Sequence, residues 1–177
     1  MWAGSTVAFP TSISQIVNLS TYDAMSGWNE LGATKTGVQI SVNNAEESFD
    51  VDQIYGNIAT EPTDWDYEVT TALAETTPQR LQLAWEGSAV TASGGEEQVS
   101  FGNPRSYTER KLAVLHQRKN NKVRAYVFRK VNRSPQESTI THAKTGEQVT
   151  VPIKFAALPD LSVADEKARV FTIFNQI

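Results

Sequence analysis

Apolar and polar residues alternate over long stretches of this chain, and the period of two marks strands. Val38, Ile40 and Val42 alternate with Gln39 and Ser41 just after a Lys35-Thr36-Gly37 turn signal. Trp65, Tyr67, Val69, Thr71 and Leu73 then alternate with Asp66, Glu68, Thr70 and Ala72. The period changes next. Leu81, Ala84 and Trp85 fall at helical spacing, with Thr77 as N-cap before Pro78 at the first helical position and Gly87 as the stop. The spacing predicts one short helix over about Thr77 to Glu86, with Arg80, Gln82 and Glu86 on its wet side.

The remainder reads as β-structure. Tyr107 to Gln117 and Val123 to Val131 flank Lys119-Asn120-Asn121-Lys122, whose asparagines tolerate the positive φ of a tight turn. Thr139 to Lys144 and Gln148 to Phe155 flank Thr145-Gly146, a second hairpin, with Val149, Val151, Ile153 and Phe155 on one face; Pro152 marks an edge strand or a bulge. ARVFTIFNQI is the expected last strand. Gly87 to Ser106 reads as an irregular loop or weak hairpin, and Met1 to about Glu30 as an N-terminal arm with a strand near Ile13, Ile16 and Val17. Asn43 to Thr63 reads as a long connection with a strand-like centre at Phe49 to Ile54; its apolar residues predict docking, on the core or on a neighbouring subunit.

Leu112 to Leu115, Tyr126 to Phe128 and Val170 to Phe174 are apolar on both faces, which a sheet with one wet face would not show. A second layer, the helix or other chains must cover the extra face, and the pattern favours some cover from other chains. One domain over residues 1–177 accommodates every element.

Charge changes the picture more than composition does. Residues 1–99 carry 14 acidic and 2 basic side chains, and residues 100–177 carry 6 acidic and 14 basic ones. Such polarity favours head-to-tail association if the two sets occupy different faces. With no cysteine, thiolate chemistry and disulfides are excluded. A basic leader and a run of about 20 apolar residues are both missing, so neither an export signal nor a membrane anchor is expected.

Candidate chemistry is sparse. His116 and His142 lack a third ligand at metal spacing and a nucleophile motif, so they read as ordinary strand positions. Asp50-Val51-Asp52 and Asp64-Trp65-Asp66 place carboxylates in pairs without a calcium-loop spacing. Neither a catalytic site, a metal site nor a cofactor is expected. Arg118, Lys119, Lys122, Arg124, Arg129, Lys130 and Arg133, interleaved with Tyr126 and Phe128, form the one nucleic-acid-like run. It reads otherwise as a soluble hairpin edge, or as a basic docking face for acidic segments.

Taken in order, Leu31-Gly32-Ala33-Thr34 with Gly37-Val38, FDVDQIYGNI, EVTTALAETTPQRLQLAW, KNNKVRAYVFRKV and VPIKFAALPDLS before a terminal strand are similar to the major tail tube protein family of long, non-contractile phage tails. The resemblance implies an antiparallel β-sandwich or barrel with one flanking helix, built into hexameric rings that stack as a hollow tube. It implies a structural virion protein of the tail, assembled in the host cytoplasm. Its expected partners are itself, a tape-measure protein, terminator and distal tail proteins, and DNA in transit without sequence-specific binding. The tube protein of type VI secretion is a related possibility, and a monomeric nucleic-acid-binding β-sandwich is the alternative. On the tube reading, residues 43–63 are an inter-subunit loop. Glu46, Glu47, Phe49, Asp50, Asp52, Gln53 and Tyr55 are its contact residues, and Arg118, Lys119, Lys122 and Arg124 form the complementary basic face. The acidic residues would meet that face on the next ring or line the channel, where they would repel phosphates.

Overall fold

The computed structural model describes residues 1–51, 54–134, 140 and 149–177, with only the backbone course given for residues 49–51 and 54–59. Among the described residues the fold is mainly β, antiparallel, with a single α-helix. Its strands are β1 (Trp2–Gly4), β2 (Trp28–Asn29), β3 (Thr34–Val51), β4 (Ile54–Leu73), β5 (Thr91–Ser93), β6 (Glu96–Gln98), β7 (Arg110–Gln117), β8 (Val123–Arg133), β9 (Val151–Leu158) and β10 (Phe171–Asn175), and α1 is Pro78–Trp85. The main sheet runs β2-β1-β7-β8-β9-β4-β3, and β10 pairs with β8 beyond the end of β9. Hairpin β5–β6 stands apart, in the loop where a weak hairpin was expected.

Side chains from four strands and the helix close one core. Val69 and Leu73 of β4, Leu112 of β7, Phe128 and Val131 of β8, and Val151, Ile153 and Phe155 of β9 pack with Leu83 and Ala84 of α1. Thr71 shares this interior because its hydroxyl donates to the Gly37 carbonyl at 2.7 Å. The opposite face of β7 and β8 is also dry. Ala113, Val123, Ala125 and Val127 pack against Ile13, Ile16, Val17 and Trp28. The cover for this face of β7 and β8 therefore comes from the chain's own first 30 residues, while Ile173 of β10 stays 47% exposed. Nor is that segment a free arm: β1 pairs with β7, and Ile13–Gln15 forms a short 3-10 turn where a strand was expected.

The largest departure lies at residues 43–63. The expected connection is the outer part of one antiparallel ladder, running from Thr34↔Leu73 through Asn44↔Trp65 to Val51↔Ile54. Register shifts after Ala45 and Phe49 interrupt the side-chain period, which is why the stretch reads as irregular from sequence. Strand β9 supports β4 only from Leu73 to Tyr67. The remaining 13 residues of β4 extend past β9, a reach of about 40 Å at strand rise.

The turn at Asn120 and Asn121 takes φ of 70° and 58°, the conformation for which asparagine is suited. Helix α1 starts at Pro78 as expected, with the Thr77 carbonyl accepting from Arg80 and Leu81, but the Thr77 hydroxyl makes no capping bond. Its left-handed cap is Glu86 at φ 53°, not Gly87. Glycine is needed at 87 for space, since a Cβ there would sit 2.7 Å from the Phe101 ring. The expected Thr139 to Gln148 half of the second hairpin lies outside the described residues. At Pro152, β9 pairs with β4, and the described part of its ladder to β8 begins at Phe155.

Candidate assembly surface

The inward stripe of β4 leaves the core before the strand ends. Leu73 and Val69 are 0% and 1% exposed, whereas Trp65 is 51% exposed, stacked on Tyr67 at 6.2 Å between ring centres. On β3, Val42 faces the same way and is 48% exposed. Beyond Tyr67 the sheet splits: β10 continues the line of β9 beside β8 without pairing to β4. A groove of about 840 Å³ opens between them, floored by Trp65, Tyr67, Leu161, Phe171 and Ile173. Apolar side chains line a cleft between unpaired strand edges, a combination that favours association.

Past this groove the hairpin is acidic. Residues 43–66 contain seven acidic residues and none that is basic. Glu46, Glu47, Glu61, Asp64 and Asp66 are exposed, and none of them has an ion pair among the described residues. Glu47 and Glu61 stand directly opposite one another across the ladder, an arrangement that repels. Inside the sheet the same strand behaves differently, for Glu68 has Lys154 of β9 at 2.6 Å. Of the expected contact residues, Phe49, Asp50 and Tyr55 lie on the paired strands with only their backbone described, and Asp52 and Gln53 lie outside the described residues.

The basic run divides into two parts. Arg118, Lys119 and Lys122 are exposed at the β7–β8 tip and have no ion pair among the described residues. Arg124 beside them donates to Asn175 at 2.6 Å. At the other end of β8, Arg129 donates to the Ala168 carbonyl and lies 3.8 Å above the Phe9 ring, and Lys130 sits between Glu109 and Asp160 at 3.8 and 3.7 Å. The Ser162 hydroxyl, 2.7 Å from Asp160, holds that carboxyl below the ordinary carboxylate range. Of the two expected stacking aromatics, Phe128 is fully buried and Tyr126 is half-buried with its hydroxyl 3.5 Å from Arg124.

Neither known family models nor curated proteins match this chain. Among the described residues no group of three His, Asp or Glu side chains is placed to hold a metal ion, and no helix is long and apolar enough to cross a membrane. His116 is exposed on β7, and His142 lies outside the described residues.

Two polar contacts that the sequence does not announce fix the frame behind this surface. Arg110, at the start of β7, donates to both Glu86 oxygens at 2.6 and 3.2 Å and lies 5.9 Å above the Trp2 ring. Both side chains are buried, so Glu86 is not on the wet side of the helix. The second contact is at the entrance to β3, where Glu75 accepts from the Ala33 amide at 2.9 Å and lies 3.7 Å from Arg80. Gly32 passes so close that a Cβ would meet Glu75 Oε2 at 2.7 Å, and its φ is +86°. Gly32→Ala is expected to lower stability by about 1–3 kcal/mol, read from the urea midpoint at unchanged slope.

Proposed function

We propose that this protein is a structural subunit that assembles with copies of itself into rings, and that the rings stack as the hollow tube of a phage tail. The observation that carries this reading is the hairpin of β3 and β4, which extends about 40 Å past its supporting strand. A long exposed edge of this kind is normally blunted or covered, because unpaired backbone groups template association. Here Trp65, Val42, Leu161 and Ile173 place exposed apolar surface at its base. The ordered resemblance to tail tube segments supports the same reading and suggests six copies per ring. In such a tube, acidic side chains that face the channel would repel DNA phosphates and let the polymer slide.

Sedimentation of the purified full chain over a range of concentrations tests the ring. The expected result is a discrete species of six times the 19.5 kDa chain mass, giving way to much larger particles as concentration rises. A single species of chain mass at every concentration would exclude the reading.

A further inference from the structure

We infer that the cleft between β3 and the tip half of β7 binds a single-chain amphipathic anion, a carboxylate carrying an alkyl chain of medium length. The cleft measures about 730 Å³, within the roughly 300–1,000 Å³ of small-molecule sites. It lies within one chain and does not depend on assembly.

Strand register sorts the wall formed by β7, β8 and β10 into three rows. Leu112, Phe128 and Phe171 stand abreast in the deepest row, Val114, Tyr126 and Ile173 in the next, and His116, Arg124 and Asn175 in the last. Residues two apart on a strand share a face, so all three rows belong to the face that continues the core. Phe128 is fully buried, Tyr126 is half-buried, and His116 and Asn175 are exposed. Polarity therefore rises along the wall, from an apolar floor to a polar rim. Val38 and Ile40 of β3 line the facing side. Val38 and Ile173 remain 38% and 47% exposed, apolar surface that an alkyl chain would take out of water.

Charge selects the sign of the ligand. Among the described residues that line the cleft none is acidic, and Arg124 has no ion pair among the described residues. Its Nε donates to Asn175 Oδ1 at 2.6 Å, and its Nη1 lies 3.5 Å from the Tyr126 hydroxyl. These contacts hold the guanidinium at the rim and leave further N–H groups of its fork for a carboxylate. Arg118, Lys119 and Lys122 are exposed on the adjoining β7–β8 turn, and their field draws anions toward the rim. The groove at Trp65 lacks this selectivity: Asp64 stands on its wall, and its Arg169 already pairs with Glu166 at 3.1 Å.

Calorimetric titration of the full chain with dodecanoate, below its micelle concentration, tests the site. Saturable binding of one molecule per chain is expected, with dodecanol bound about tenfold more weakly because it carries no charge. Arg124→Met should weaken dodecanoate about tenfold and leave dodecanol unchanged, a difference that a folding defect would not produce. Val38→Trp should abolish binding of both by filling the cleft. Neither position is fully buried, and thermal melting checks that each variant stays folded. Equal affinity of the wild type for acid and alcohol, uptake of several molecules per chain, or no saturable binding would overturn the inference. Co-sedimentation with phosphatidylglycerol vesicles in place of one-to-one binding would assign the rim to a membrane surface and overturn it as well. If Val38→Trp stops self-association while dodecanoate never binds the wild type, a second copy fills the cleft and the carboxylate site is wrong.

Discussion

Removal of residues 45–64, with Asn44 joined to Trp65 through an Asn-Gly turn, is expected to abolish tube formation while the remaining domain folds. These two residues are partners across the ladder, so a two-residue turn can close the shortened hairpin in register. The excised part makes no ladder with β9, and its described side chains are exposed. Its loss should change stability by no more than about 1 kcal/mol, as surface changes generally do. Deleting only residues 45–53 would be a poorer experiment, since it strips β4 of its partner and leaves 11 residues of strand unpaired. Circular dichroism and a melting curve close to those of the full chain, with no polymer at any concentration, would fit the hairpin as the assembly element. Tubes of normal length from the shortened chain would exclude it.

Arg110→Ala is expected to have the largest effect on the fold. The substitution leaves Glu86 buried without its cation, and loss of one partner of a buried pair typically costs about 3–5 kcal/mol. It also removes the guanidinium packed over Trp2, and so loosens the junction of α1, β1 and β7. In a chain of this length the melting temperature should fall by roughly 6–20 °C. A double change, Glu86→Gln with Arg110→Met, should recover part of that loss because no unpaired charge remains inside. Equal destabilisation by the single and double variants would mean that packing, rather than the charge pair, dominates at this junction.

Where burial imposed a period, the sequence was readable. Val69, Thr71 and Leu73 face the core as their alternation required, Pro78 begins the helix, and Asn120-Asn121 turns the β7–β8 hairpin. The outer hairpin was not readable as strand because its described side chains are exposed whichever way they point, which removes the alternation, and two register shifts break what is left. The first 30 residues cover a sheet face through scattered contacts at Ile13, Ile16, Val17 and Trp28, which have no regular spacing to find. Arg110 and Glu86 lie 24 positions apart, and no local pattern joins them. The one available hint was an arginine heading an otherwise apolar strand, Arg110 before Leu112 and Ala113.

The candidate surface divides along the same line. Acidic and basic residues were identifiable by composition, since charge is visible in sequence wherever it lies. Their placement at one end of the sheet was not, because it follows from β4 and β8 both running antiparallel to β9. Electrostatics of this kind governs which partner and orientation are selected more than total affinity, and the exposed apolar groove at Trp65, Leu161 and Ile173 is the better source of binding strength.

Negative-stain electron microscopy of the purified, concentrated full chain tests self-assembly most directly. Hollow cylinders of uniform width, built from stacked annuli and absent from the shortened-hairpin variant, are the predicted result. A field of small separate particles at every protein and salt concentration would contradict the account.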